Sequence, residues 1–195
     1  MFGQLLVQMI MRRFALLLVL LAGLLTPVIL GAADHPQVVI LVRHAEKSAV
    51  PAGDVTLSEA GQARAEELAI ALAEARIDRI VVTQFRRTRD TAAPTGREMK
   101  VTPIVIEAGA DTARHVREVA AAVRRGGYSV LVVGHSNTVP AIITALGGPE
   151  MQELCETEYS NLFTLTLVPG QPARLVHGLY GAPDEPADCR RQMKP

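Results

Sequence analysis

Two histidines and a set of arginines in this chain stand where they could handle a phosphoryl group. Arg43-His44 follows the apolar run Val38-Val39-Ile40-Leu41-Val42, and His135 follows Val130-Leu131-Val132-Val133-Gly134. A third such place, Thr83-Gln84-Phe85-Arg86-Arg87-Thr88-Arg89, just beyond Arg79-Ile80-Val81-Val82, carries three arginines, Arg86, Arg87 and Arg89. A guanidinium presents planar, paired donors to phosphate oxygens, and an imidazole is a competent nucleophile near neutral pH. Taken singly, each has an ordinary structural role, as a satisfied core histidine or a solvated arginine at a helix start. What joins them is position: each follows a short apolar run, and open α/β sheets keep their chemistry at the carboxyl ends of strands.

The elements that must position these groups can be read from spacing. Val38 to Val42 has the continuous apolar character of a strand buried on both faces. Ser58 is placed to cap a long helix in which Ala65, Leu68, Leu72 and Ala75 recur at helical spacing, with Arg64, Glu66, Glu67 and Glu74 off that stripe. Arg79 to Val82 reads as a second strand, and Thr88 to Met99 as a helix that Pro94 should bend or restart. Val101 to Ile106 reads as a third strand. A helix capped by Asp111 or Thr112 follows, with Val116, Val119, Ala120 and Val123 on one face and Gly126-Gly127 at its end. Ser129 to Val133 is a fourth strand, followed by a helix through Ala141 to Leu146. Leu162 to Val168 and Arg174 to Leu179 flank Pro169-Gly170-Gln171-Pro172 as an edge hairpin. Strands alternating with helices imply an α/β fold, a mostly parallel central sheet covered on both faces.

Four segments together resemble the histidine phosphatase superfamily, the phosphoglycerate-mutase-like fold. Leu41-Val42-Arg43-His44-Ala45-Glu46-Lys47 is similar to its signature, and Leu57-Ser58-Glu59-Ala60-Gly61-Gln62-Ala63-Arg64-Ala65 to the helix start that follows. Thr83 through Ala92 is similar to its arginine segment, and Gly134-His135-Ser136-Asn137-Thr138-Val139-Pro140 to its second-histidine segment. The order is the family's and the coverage runs from about residue 38 to 140. The resemblance implies a three-layer α/β/α sandwich and a metal-independent phosphatase without cofactor. In it His44 would carry the phosphoryl group as phosphohistidine, while Arg43, Arg87 and His135 bind its oxygens. Ala45 stands where many members have glycine.

The family also uses an acid that protonates the leaving oxygen and then activates water. Glu107, at the end of the third apolar run, is the first candidate and Asp111 the second; either could instead cap the next helix. A short chain without a long insertion suits hydrolysis, since a mutase must shield its intermediate from water. Small phosphomonoesters, phosphosugars of the cell envelope among them, are the expected substrates. Two other readings stay open. One is a non-catalytic protein that binds a phosphorylated ligand. The other is an esterase using Ser136 in an elbow-like turn, with His177 as the later histidine.

The whole chain bounds these readings. Its 195 residues suffice for one α/β domain. Arg12-Arg13, the apolar stretch Phe14 to Leu25 and the small residues Gly31-Ala32-Ala33 read as a signal peptide, residues 1–33, ahead of a single domain, 34–195. An uncleaved anchor is the alternative. Cleavage implies a periplasmic or secreted protein with no stable membrane insertion. With 20 basic and 20 acidic residues overall, and no basic run or aromatic platform, nucleic acid is not an expected partner. Cys155 and Cys189, an even pair in an exported chain, read as a disulfide, with two reduced thiols as the alternative. No third ligand at metal spacing accompanies His44 and Glu46.

Overall fold

Alternation of side chains along the first strand sets up the layers. In β1 (Gln37–Arg43), Val39 and Leu41 point to one face of the sheet, Ile40 and Val42 to the other, and all four are buried. The computed structural model describes residues 35–49 and 53–184. The leader, Cys189 and the rest of the tail lie outside that range, so the expected cleavage and the Cys155–Cys189 pairing fall on residues not described.

The chain continues through α1 (Glu59–Ala71), β2 (Arg79–Val82), α2 (Arg86–Met99), β3 (Ile104–Val105) and α3 (Thr112–Arg124). It then forms β4 (Ser129–Gly134), α4 (Thr138–Ala145), β5 (Asn161–Leu167) and β6 (Arg174–Leu179). The strands make one sheet in the order β3-β2-β4-β1-β5-β6. The first four run parallel, and β5 and β6 add an antiparallel hairpin beside β1. Helices α1 and α2 cover one face, packing Leu68, Leu72 and Ala92 on Ile40, Val42, Ile80, Val82, Leu131 and Val133. Helices α3 and α4 cover the other, packing Val119, Val123, Ile142 and Ile143 on Val39, Leu41, Val81, Val130 and Val132. This is the expected three-layer α/β/α sandwich around a mostly parallel sheet.

Three local expectations are corrected. The third strand shrinks to Ile104–Val105, both exposed, because it is the sheet edge and Pro103 before it has no N–H to give. Helix α2 begins two residues before Thr88 and continues past Pro94 as one element. Arg64, which lies off the apolar stripe of α1, is nevertheless buried, because Glu46 from the loop after β1 folds over it.

Elsewhere the local chemistry behaves as its residue types dictate. Ser58 caps α1 by accepting from the Gly61 amide at 3.1 Å, and Asp111 caps α3 by accepting from the Arg114 amide at 2.8 Å. Gly126 and Gly127 leave α3 with φ of 123° and 104°, values open to glycine and not to a β-branched residue.

Candidate active site

Strands β1 and β4 are direct neighbours, with Arg43 paired in register to Gly134 and the His44 amide donating to the Gly134 carbonyl at 2.9 Å. Their carboxyl ends therefore bring His44 and His135 abreast, with ring centroids 5.4 Å apart. Arg87, on the first turn of α2 beyond β2, reaches the same place: its Nη2 lies 3.4 Å from His135 Nδ1. The residues converge on a cavity of about 580 Å³ lined by Arg43, His44, Arg87 and His135, with Lys47, Ser136, Asn137, His115, Glu153 and Glu156 around them.

Hydrogen bonding fixes which imidazole nitrogen carries the proton. His44 Nδ1 lies 2.8 Å from the Ala45 carbonyl oxygen. A carbonyl only accepts, so Nδ1 is the N–H and Nε2 keeps its lone pair. Burial holds the His44 pKa down at about 2, with the charge of Arg43 and the neighbouring His135 and Arg87 acting in the same sense against the Ala45 bond. His44 is thus a neutral imidazole with its tautomer locked and Nε2 free. For His135, the Arg87 guanidinium can only donate, so Nδ1 accepts and the proton sits on Nε2, 3.2 Å from Thr83 Oγ1. Burial, followed by the charge of Arg87, lowers its pKa to about 3. Burial also lowers the pKa of Arg87, while Asp54 opposes and Arg43 adds to the shift.

Arg43 is 1% exposed, and its guanidinium is clasped by the segment before β5. Nη1 donates to the Cys155 carbonyl at 2.6 Å and the Glu158 carbonyl at 3.3 Å, and the Tyr159 ring lies 4.3 Å from its central carbon. Nη2 donates to Glu156 Oε2 at 2.9 Å. Of the five buried side-chain polar atoms without a protein partner among the described residues, two belong to this pair of guanidinium groups, the Nε–H of Arg43 and the Nε–H of Arg87. The positive charge that Arg43 and Arg87 bring to one pocket is what favours an anion there. Helix α4 starts beside them without a side-chain cap, and its N-terminal dipole adds to the same field.

The positioning network extends behind the loop that follows His44. Glu46 takes a fork from Arg64, with Nη2 to Oε1 at 2.7 Å and Nε to Oε1 at 2.9 Å. Arg64 Nη1 also donates to the carbonyls of Tyr180 and Ala182. Thr91 Oγ1 accepts from the Ala45 amide at 2.9 Å, tying the loop to α2.

Arg43, His44, Arg87 and His135, singled out by sequence, are brought together; Glu107 is not. Its side chain is exposed in a separate groove with Arg114 and Arg117, and its backbone carbonyl accepts from His115 Nδ1 at 3.1 Å. Asp111 is occupied as the α3 cap. The carboxylates that do line the cavity are Glu153 and Glu156, which sequence reasoning passed over because the irregular stretch before β5 carries no periodic signal. His115, also passed over, is a buried α3 residue facing the same cavity, its pKa lowered mainly by burial. Ser136 Oγ donates to Glu156 Oε1 at 3.1 Å, and His177 Nε2 is engaged with Asn161 Oδ1 at 2.7 Å, so neither sits in a serine–histidine relay. Arg86 is exposed and Arg89 pairs loosely with Asp54 at 3.9 Å, outside the cavity. Among the described residues, no cluster of three or more His, Cys, Asp or Glu is placed to hold a metal ion.

Comparison with known proteins agrees with this geometry. Residues 39–111 match the sequence model of the histidine phosphatase superfamily, branch 1. No curated protein matches the chain. Among solved structures, the chain is similar to a provisionally named phosphohistidine phosphatase SixA from Agrobacterium tumefaciens, at 27% identity and a TM-score of 0.57, over 75% of this chain and 99% of that one. It shares its fold with the protein histidine phosphatase SixA complexed with tungstate (20% identity, TM-score 0.57, 73% and 97% covered). It likewise shares the fold of a mycobacterial glucosyl-3-phosphoglycerate phosphatase (17% identity, TM-score 0.57, 76% and 100% covered).

Proposed function

We propose that this chain, which belongs to the histidine phosphatase superfamily, hydrolyses small phosphomonoesters by way of a phosphohistidine on His44. The observation that carries the reading is the state of His44: neutral, with Nδ1 tied to the Ala45 carbonyl and Nε2 bare, among Arg43, Arg87 and His135. In the first step Nε2 attacks phosphorus and the bond to the leaving oxygen breaks. Charge builds on the three equatorial oxygens as the group moves, and fixed donors aimed at those oxygens are the main catalytic tool. Arg43 and Arg87 supply them. A dianion beside His135 favours its protonated, doubly donating form, which adds a third. In the second step water attacks phosphorus, the N–P bond breaks and inorganic phosphate leaves.

Beyond the phosphoryl pocket the lining includes Thr112, Ser136, Asn137 and Glu153, groups that hydrogen-bond hydroxyls, beside the apolar Phe85 and Ala108. That supports a polyol leaving group, and phosphosugars are the substrate class proposed. One structural neighbour is named for a phosphorylated sugar acid and others for phosphohistidine, so both classes belong in the screen. The leader-like composition of residues 1–33 supports a reaction outside the cytoplasm, at the cell envelope.

The test is phosphate release by the mature protein, in chelator, over a panel of an aryl phosphate, phosphosugars, nucleotides and phosphohistidine peptides. Release that His44→Ala abolishes supports the reading. Phosphate binding with no turnover on any member favours a ligand-binding protein. Activity on a carboxylic ester that survives His44→Ala and not Ser136→Ala favours the esterase.

A further inference from the structure

We infer that Glu156 is the proton-transfer group of this site, its carboxylate resting on Arg43 and Ser136 until a substrate phosphate takes that position. The assignment rests on the phosphatase reading and extends it to the step for which sequence offered Glu107.

Geometry singles Glu156 out. The pocket of His44 is lined by two carboxylates, Glu153 and Glu156, and only the latter bonds the phosphate-binding machinery. Oε2 accepts from Arg43 Nη2 at 2.9 Å and lies 3.9 Å from Lys47 Nζ, while Oε1 accepts from Ser136 Oγ at 3.1 Å. Two oxygens held by a guanidinium, a hydroxyl and an ammonium occupy the site as two phosphate oxygens would. The side chain is nevertheless 57% exposed and springs from a turn between α4 and β5. Its neighbour Cys155 is held by its backbone through Arg43, whose Nη1 bonds the Cys155 carbonyl. The carboxylate can therefore leave Arg43 while the segment that bears it stays in place.

The charges facing Glu156 are those of Arg43, Lys47 and Arg87, with the Tyr159 hydroxyl beside them. Burial pushes its carboxyl up, but Arg43, Ser136 and Lys47 together outweigh that and hold it below the usual carboxylate range. A bound phosphate dianion reverses the balance, since it takes Arg43 for itself and adds negative charge nearby; both changes favour the protonated acid. Binding thus turns a resting anion into a proton donor.

The steps then balance. His44 Nε2 forms a bond to phosphorus, the phosphorus–oxygen bond to the leaving group breaks, and the Glu156 proton passes to that oxygen, releasing an alcohol. Glu156, again a carboxylate, takes a proton from water as the water oxygen attacks phosphorus. The nitrogen–phosphorus bond breaks, inorganic phosphate forms, and Glu156 ends protonated.

The experiment measures kcat/KM for a series of phosphomonoesters of graded leaving-group pKa, in wild type, Glu156→Gln and Glu156→Ala, alongside inhibition by inorganic phosphate. A missing acid matters most for poor leaving groups. Alkyl phosphates should lose about a hundredfold or more, aryl phosphates progressively less, so that the plot steepens. Phosphate should inhibit both variants several-fold more tightly, because the tethered competitor is gone. An unchanged slope overturns the assignment, as does weaker phosphate inhibition, or steepening in Glu153→Gln and not in the Glu156 variants. These failures are distinct from failure of the phosphatase reading, which shows as a wild type without turnover or as a His44→Ala variant that keeps its activity. Circular dichroism and thermal melting of the variants exclude a folding defect as the source of a lost rate.

Discussion

A single backbone carbonyl decides how His44 can react. Had Nδ1 faced a carboxylate, the ring would tend toward a charged, non-nucleophilic form; facing the Ala45 carbonyl, it is neutral with a free Nε2. The same burial that makes His44 and His135 neutral has a cost in acid. Their folded pKa values, about 2 and about 3, lie below the ordinary value of 6.5, so below pH 6.5 the unfolded chain binds more protons than the folded one. Stability is full above about pH 6.5 and declines as pH falls toward 3, by up to ~1.4 kcal/mol per pH unit for each histidine. Thermal melts from pH 8 to pH 4 should show a midpoint that drops below pH 6.5, with a shallower drop in His135→Asn; an identical slope in the variant would contradict the neutral, buried state. Arg87 is the other residue whose role is open to a direct number. Without a carboxylate within ion-pair distance among the described residues, it is available to phosphate, and a charge-assisted bond is worth ~1.5–3 kcal/mol. Arg87→Ala should therefore raise the inhibition constant of inorganic phosphate roughly tenfold to a hundredfold. Arg86→Ala should leave that constant within about twofold, as an exposed residue outside the cavity would.

At the scale of elements, the loop between β1 and α1 does the positioning. A Cβ on Gly61 would collide with the Glu46 carbonyl oxygen, so the helix can approach the loop only with glycine there. Gly61→Ala should destabilise the protein by ~2 kcal/mol or more and reduce activity beyond what the melt explains, because Glu46 is two residues from His44. Behind it, Arg64 is 3% exposed and holds Glu46 together with two carbonyls near the end of β6. Arg64→Met should cost ~2–3 kcal/mol in a urea titration, less than a fully buried pair because Glu46 retains some contact with water. This network also shows where sequence reading stops. The periodicity of Ala65, Leu68 and Leu72 identified the helix and its core face, yet it left Arg64 off that face with nothing to say that it is buried. A charge buried by a fork from a distant loop leaves no trace in helical spacing. The third strand failed for a related reason: Ile104, Val105 and Ile106 look like a core strand in composition, but at an edge, behind Pro103, only Ile104–Val105 pair.

At the scale of the molecule, the sheet order accounts for the site. Strands β1 and β4 are separated in sequence by three helices and two strands, and the crossover topology sets them side by side, so His44 and His135 meet although 90 residues lie between them. That much was legible, since three strand-end motifs in the order of the resemblance specify which ends must converge. The proposed proton donor was not. Glu107 sits at the end of the short edge strand and turns outward, whereas Glu156 enters from an irregular segment whose path no local pattern predicts. Because the cavity gathers Arg43, Arg87 and Lys47, an anion should stabilise the folded state by mass action. Tungstate or phosphate at a hundred times its dissociation constant should add ~2.7 kcal/mol, read as a raised melting temperature that Arg87→Ala largely removes. The central claim is the covalent one, and the most direct measurement is mass spectrometry of the protein quenched into alkaline denaturant during turnover, with chelator present throughout. The account predicts one added phosphoryl group on the peptide containing His44, stable in base, lost in acid and absent from His44→Ala. Full-rate turnover with no phosphorylated protein, or a phosphoryl group on any other residue, would contradict it.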